Sequence, residues 1–169
     1  MNYILMLIDI LFSKNKIIFW SFGEIIMKTY MAKPSQEPEK RWLVIDAADQ
    51  IVGRLAVQIA NLLRGKHRPE FTHHHDTGEF VIVLNASKLR FTGKKINTKV
   101  YRWYTHYPGG LKSASAKDWL ANHPDRIIRE AVKRMMPKTP LARHQIIKLK
   151  IYAGTEHPHQ AQQPVEFKV

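Results

Sequence analysis

The chain has 169 residues, 44% of them hydrophobic and 24% charged, which is typical of one globular domain with or without appendages. It contains no cysteine, and this excludes disulfide bonds, a cysteine nucleophile, thiolate zinc ribbons and iron–sulfur clusters. Its 27 Lys and Arg residues outnumber its 14 Asp and Glu residues, and the net charge of +13 favours a polyanionic partner.

Residues 1–26 differ from the rest of the chain, and we expect them to be a non-native or disordered N-terminal extension. Their two apolar runs, Tyr3 to Phe12 and Ile17 to Phe22, are too short to span a bilayer, which needs about 20 apolar residues. The basic start and the cleavage site of a secretory signal are missing. The segment has no net charge, so the whole excess lies in residues 27–169. We expect translation to start at Met27, and an amphipathic anchor is the alternative.

The first half of the remaining chain predicts a strand, a helix and a second strand. Residues 27–41 contain two prolines and no apolar periodicity in their second half, which indicates an extended arm. Trp42 to Asp46 is a short apolar strand, and Ile51 to Arg64 places apolar residues at helical spacing before Gly65, a C-terminal cap. Phe80 to Leu84 is continuously apolar, as a strand buried on both faces requires. This order predicts a βαβ crossover and a partly parallel sheet.

The second half adds further strands and helices, with prolines at helix starts and stops. The predicted strands are Val100–Tyr104 and Leu149–Tyr152, and the predicted helices are Ser115–Asn122, Pro124–Met135 and Pro140–Ile147. The loop at residues 92–99 precedes the aromatic strand, and a Pro-Gly-Gly turn follows that strand. The polar tail, residues 155–169, is expected to be loosely held.

Basic residues are concentrated in two stretches that contain no acid. The 38 residues between Glu79 and Asp118 hold eight bases, and the 25 residues between Glu130 and Glu156 hold six. Solvated faces usually interleave both signs, so one-sign stretches predict a polyanion-binding surface. Aromatic residues stand among the bases, and the bases fall on dispersed loops. This pattern suits folded RNA, whose unstacked bases need aromatic planes, better than a single DNA groove.

A cluster of histidines, His73 to His75 followed by Asp76, leaves an enzymatic alternative open. It would be a metal-dependent hydrolase, although adjacent imidazoles on an extended segment point apart and lack the spacing of a helical site. Asp76, Thr77 and Gly78 also match the aspartic-protease tripeptide, which needs a second carboxylate and an apolar strand before it. Phosphate loops and hydrolase signatures are missing, so no catalytic constellation is predicted. A membrane-peripheral protein anchored by residues 1–26 is the other alternative.

Three long blocks of the chain resemble the bacterial large-subunit ribosomal protein L13 family. They run over residues 42–95 (WLVIDAADQIVGRL onward), 99–112 (KVYRWYTHYPGGLK) and 131–164 (AVKRMMPKTPLARHQ onward), and the likeness extends from about Met27 to Gln163. The resemblance implies a three-layer α/β/α fold around a mostly parallel four-stranded sheet. It implies no enzymatic activity, no catalytic or metal-binding residue and no cofactor.

The partners implied by the resemblance are large-subunit (23S) ribosomal RNA, bound early in assembly, neighbouring large-subunit ribosomal proteins and, for some members, their own messenger RNA. A membrane and a small-molecule substrate are not implied, and the location is the cytoplasm. The family's basic blocks and the acid-free stretches define the predicted RNA-binding set. It comprises Arg54, Arg64, Lys66, His67, Arg68, Lys88, Lys94, Lys95, Lys99, Tyr101, Arg102, Lys112, Lys133, Arg134, Lys138, Arg143 and Lys148. Arg134, Thr139 and Ala142 replace the family's usual glycines, which predicts a stiffer loop after Met136.

Overall fold

Six strands are present in the part of the chain that the computed structural model describes, residues 31–32 and 40–168. They are β1 (Trp42–Asp46), β2 (Phe80–Leu84), β3 (Val100–Tyr104), β4 (Leu111–Ser115), β5 (Leu149–Ile151) and β6 (Val165–Glu166). Four of them form one parallel sheet in the order β5-β2-β1-β6. The predicted α/β class with a mostly parallel four-stranded sheet is confirmed. The predicted extension, residues 1–26, and residues 33–39 of the predicted arm lie outside the described residues.

Strand β2 lies at the centre of the sheet and is buried on both faces. Val81, Ile82 and Val83 are fully buried. A strand that is covered on both faces needs apolar side chains at consecutive positions, as this strand has. The neighbouring strand pairs with it in register, and Trp42 stacks on Phe80 with ring centroids 4.4 Å apart and an interplanar angle of 8°. The prediction that Val81 and Val83 belong to a buried central strand is confirmed.

Within the described residues, five helices accompany the strands. They are α1 (Val52–Arg64), α2 (Lys95–Thr98), α3 (Ala116–Asn122), α4 (Pro124–Met135) and α5 (Pro140–Ile147). Helices α1 and α4 pack against each other and against the sheet, because each has one apolar face. Their largest fully buried side chains are Leu55, Ile59, Leu63, Ile127, Ile128 and Val132. The arrangement is consistent with the three-layer α/β/α fold.

Side-chain caps and prolines set the starts of the later helices where the sequence predicts them. The hydroxyl of Ser115 accepts the backbone N–H of Asp118, and the Asp118 carboxylate accepts the N–H of Ser115 in return, which is a capping box. Pro124 stands at the first turn of α4. The Thr139 hydroxyl accepts the N–H of Ala142 at 3.3 Å and is therefore the N-cap of α5.

Strand β3, which the sequence predicts at these residues, lies outside the main sheet. It pairs antiparallel with β4, a strand that the sequence analysis did not identify, from Val100 opposite Ser115 to Tyr104 opposite Leu111. The connection between them is short and includes Gly109 at a φ of 70°, and a short connection can join only antiparallel neighbours. Helix α2 likewise replaces part of the predicted loop at residues 92–99.

The polar tail supplies the fourth strand of the sheet, a pairing that the sequence analysis does not predict. Val165 pairs with Leu43 in a parallel ladder, and the N–H of Phe167 donates to the carbonyl oxygen of Val44 at 2.8 Å. Farther back, the imidazole of His159 lies 5.1 Å from the Trp42 ring centroid and its Nε2 is 2.8 Å from the Tyr152 hydroxyl.

Candidate nucleic-acid interface

The turn after α1 presents Lys66 to solvent from a tightly fixed backbone. Gly65 has a φ of 77°, and the N–H of Lys66 donates to the carbonyl oxygen of Asn61 at 3.0 Å, which satisfies the helix end. A Cβ on residue 65 would lie 2.8 Å from backbone atoms of Thr77, so only glycine fits between helix and chain. Lys66 is exposed and keeps its predicted place on an accessible surface.

Arg68 is engaged inside the protein, contrary to its predicted role as an RNA contact. Its Nη2 donates to the Glu79 carboxylate at 2.8 Å, and only 12% of its side chain is exposed. Glu79 is buried, and a buried carboxylate without a cationic partner would be strongly destabilising. His67 lies 3.4 Å from the same carboxylate oxygen and keeps 35% of its side chain exposed. Arg68 therefore holds the turn, whereas His67 remains accessible.

Lys148 is buried, which corrects its prediction as an RNA-binding residue. Its Nζ lies 2.7 and 2.9 Å from the two carboxylate oxygens of Asp76 and 3.0 Å from the carbonyl oxygen of Gly78. Burial lowers the pKa of Lys148 and its bond to Asp76 opposes that shift. Burial raises the pKa of Asp76, but the hydrogen bond and charge of Lys148, together with the Gln145 hydrogen bond and the Lys40 charge, leave that pKa below its ordinary value of 3.8. The Asp76–Lys148 ion pair therefore links the segment before β2 to the residue that precedes β5.

Tyr101 is also buried, so it cannot serve as the exposed platform that the sequence predicted. Its ring stacks on Trp119 of α3 with centroids 4.4 Å apart and an interplanar angle of 11°. Burial raises the pKa of its hydroxyl. Trp103, two residues along β3 and therefore on the same face of the strand, lies 5.6 Å from Trp119 and is 37% exposed. The exposed aromatic plane at this place belongs to Trp103.

A cleft of about 330 Å³ lies between the β3–β4 hairpin, α3 and α4, and we call it the aromatic cleft. Its lining combines three aromatic rings with four arginines and one acid. The residues are Tyr101, Arg102, Trp103, Trp119, Arg126, Arg129, Glu130 and Arg134. Guanidinium groups bind phosphate oxygens bidentately and also stack on flat rings, so this combination suits nucleic acid.

A second cleft of about 470 Å³ continues from the first along α4 and α5. The two clefts share Glu130 and Arg134, and we call their union the basic groove. Glu130 Oε2 lies 3.7 Å from Nε of Arg134, and its Oε1 lies 3.9 Å from Nζ of Lys133. The seven bases of the groove thus face one acid that is already paired. They are Arg102, Arg126, Arg129, Lys133, Arg134, Lys138 and Arg143.

The sequence predicted five of these seven bases and missed Arg126 and Arg129. Both stand just before Glu130, outside the acid-free stretch that drew attention to the others. The signal that identifies them is helical spacing, because Arg126, Arg129 and Lys133 lie three and four residues apart on the exposed face of α4. Glu130 does not interrupt this basic face, because its carboxylate lies beside Lys133 and Arg134.

The other predicted bases lie outside the groove lining. Lys94 and Lys95 stand exposed at the start of α2, and the Nζ of Lys99 lies 5.1 Å from the centre of the Tyr101 ring. Lys112 lies opposite Trp103 in the hairpin ladder. The remaining members are partly or fully exposed on α1, the turn after it and the 3₁₀ turn that follows β2. They are Arg54, Arg64, Lys66, His67 and Lys88.

The histidine cluster is not arranged as a metal centre. The Asp76 carboxylate accepts from Lys148 and, at 3.1 Å, from Gln145. His73 packs edge-on against Phe71. Among residues 31–32 and 40–168, no group of three His, Cys, Asp or Glu residues is placed to hold a metal ion. In the same described part of the chain, no helix is both long and apolar enough to cross a membrane.

Known proteins of the large ribosomal subunit are similar to this chain over most of its length. The family model described as Ribosomal protein L13 matches residues 40–158. A large ribosomal subunit protein uL13 from Rubrobacter xylanophilus is 54% identical over 143 residues, which cover 85% of this chain and 99% of that protein. The proteins of the same name from Roseiflexus sp. and Thermotoga petrophila are 56% and 53% identical, covering 84% and 82% of this chain and 97% and 93% of their own lengths.

Proposed function

The chain belongs to the ribosomal protein L13 family, a structural family of the large ribosomal subunit, and we propose that it binds large-subunit ribosomal RNA early in assembly. In this proposal residues 27–169 act as a single RNA-binding domain that helps to hold folded segments of that RNA together. Its other partners are neighbouring large-subunit ribosomal proteins, and its location is the cytoplasmic ribosome. The protein needs no cofactor and carries no catalytic activity.

The basic groove is the observation that carries the proposal. Seven exposed bases line two connected clefts, and the single acid among them, Glu130, lies within 3.9 Å of Lys133 and Arg134 on α4. Such a groove attracts the phosphate backbone, and arginines fix the register of phosphates through paired hydrogen bonds. The bases on α1, its following turn and α2 extend the cationic surface beyond the groove, as an irregular folded RNA requires.

Repression of the protein's own messenger, which the resemblance implies for some members, remains a prediction. The same cationic surface would serve any folded RNA of suitable shape, because phosphate contacts carry no sequence information.

Binding of purified protein to a large-subunit RNA fragment at increasing salt tests the proposal. A groove variant, Lys133→Gln, Lys138→Gln and Arg143→Gln, should lower the affinity and reduce the slope of log affinity against log salt by about 2 to 3. A matched variant, Arg41→Gln, Lys117→Gln and Lys168→Gln, removes the same charge at exposed positions outside the predicted set. Equal losses in both variants, or a flat salt titration of the unaltered protein, would contradict binding through the groove.

A further inference from the structure

We propose that the aromatic cleft receives one unpaired base of the bound RNA, stacked on Trp103, with the adjoining phosphates on the arginines at its rim. This inference rests on the proposed function and specifies which part of the RNA occupies this end of the basic groove. The ligand class is a single-stranded nucleotide in a loop or bulge rather than a base-paired helix.

The rings of the cleft are arranged for stacking before any ligand arrives. Tyr101 and Trp119 form a buried stack that supports the hairpin, and Trp103 leans against Trp119 at an interplanar angle of 40°. The contact with the Trp119 ring supports one side of Trp103, while 37% of the surface of Trp103 is exposed. A fixed exposed ring loses little conformational entropy when a base stacks on it, and base–aromatic stacking is a main source of affinity for single strands.

The rim of the cleft supplies cations for the sugar-phosphate chain. Arg126 and Arg129 are exposed on α4, and Arg102 is exposed on the hairpin. An apolar ligand would not need these arginines, and a lone phosphate would not need an aromatic floor. The two features together match a nucleotide. The volume of about 330 Å³ lies within the range of small-molecule sites, which begins near 300 Å³, so one base with its sugar fits.

The acid in the lining gives the cleft a preference among bases. The Glu130 side chain is 33% exposed and its carboxylate can accept hydrogen bonds only, so it favours a base that presents an amino group. Cytosine, adenine and guanine have such a group, whereas uracil does not. An acidic peptide would be attracted by the arginines but would bring its carboxylate close to Glu130.

A short single-stranded RNA with 2-aminopurine at its centre tests the stacking directly, because the fluorescence of this base falls when it stacks on an aromatic ring. The full-length protein should quench the probe, and Trp103→Leu should remove most of the quenching and weaken binding roughly 5- to 100-fold. Tyr107→Leu is the matched control, since Tyr107 is an exposed aromatic residue of the same hairpin outside the cleft lining. It should leave the quenching unchanged.

A second measurement does not depend on the folding of a variant. Removing the central base from the RNA should weaken binding to the unaltered protein by a similar factor, and placing cytosine there should give tighter binding than uracil. If the RNA binds with a steep salt dependence but neither the abasic site nor Trp103→Leu matters, the base-binding inference is overturned and the proposed function stands. If no RNA binds, both fail. A third outcome is that the protein binds poly-glutamate but not RNA, and that Trp103→Leu removes this binding. That outcome would assign the cleft to an acidic protein segment and overturn the inference.

Discussion

Replacing Lys148 by methionine should destabilise the protein without removing an RNA contact. Methionine keeps most of the side-chain length but has no charge, so the Asp76 carboxylate loses two short bonds, of 2.7 and 2.9 Å. Removing one partner of a buried ion pair costs about 3–5 kcal/mol. Asp76 retains Gln145 at 3.1 Å and Lys40 at 3.4 Å, and its side chain is 23% exposed. We therefore expect a loss of about 2–4 kcal/mol in the free energy of unfolding.

Thermal unfolding followed by circular dichroism measures this loss. For a domain of this size the midpoint should fall by about 5–15 °C. The double variant Asp76→Asn, Lys148→Met should be less destabilised than the sum of the two single variants, because the residues interact directly. At a temperature where Lys148→Met is folded, its RNA affinity should match that of the unaltered protein. A variant with an unchanged midpoint and reduced RNA affinity would refute the structural role of Lys148.

The same pair predicts how stability depends on pH. Burial raises the pKa of Asp76, but the bond and charge of Lys148, with smaller contributions from Gln145 and Lys40, leave it below 3.8, its ordinary value, in the folded protein. A lowered carboxyl pKa contributes stability that is present above the unfolded-state value and is lost as the pH falls through the folded-state value. The free energy of unfolding should therefore decline below about pH 4, and Asp76→Asn should make that decline shallower. Parallel curves for the two proteins would contradict this assignment.

Three further predictions concern the core, the α2 surface and the amino terminus. Val83→Asp would place an unpaired charge in the centre of the sheet and should cost several kcal/mol, so a soluble variant with a normal melting temperature would contradict the buried position of β2. Replacing Lys94 and Lys95 by alanine should weaken RNA binding and leave the melting temperature almost unchanged, since exposed charges contribute little to stability; early unfolding would make these lysines structural. Peptide mapping of the native protein should find Met27 or its successor at the amino terminus, and any peptide from residues 1–26 would show that this segment is translated.

Local pattern was sufficient to predict most of the helices and strands. Helical spacing of apolar residues and a following glycine placed α1 to within one residue of its observed start, and Pro124 and Pro140 marked the starts of α4 and α5. The continuous apolar run at β2 predicted a strand buried on both faces. These features are decided by neighbours in the chain, through backbone hydrogen bonds, caps and the burial of one face.

Pairing partners were decided by the tertiary structure. The aromatic strand β3 pairs with β4, because the short connection between them permits only antiparallel pairing, and the edge of β1 pairs with the tail strand β6 at Val165. The tail is polar overall, and the short alternation of apolar and polar residues at 165–169, which is typical of a strand, does not show which strand it pairs with. The two residues of β6 pair with β1, and His159 of the tail packs on Trp42. Both contacts join segments more than 100 residues apart in the chain.

For the basic residues too, the sequence predicted the general surface, and the tertiary structure decided the role of each side chain. Charge distribution along the chain predicted a polyanion-binding surface and five of the seven bases of the basic groove. It also assigned Lys148 and Arg68 to that surface, although Lys148 is buried and pairs with the partly exposed Asp76, and Arg68 pairs with the buried carboxylate of Glu79. Arg126 and Arg129 were not predicted because they stand outside the acid-free stretch, just before Glu130, but both line the aromatic cleft in the fold. Sequence determines how many charges a segment carries, whereas the direction of each side chain depends on which carboxylates and rings the tertiary structure places beside it.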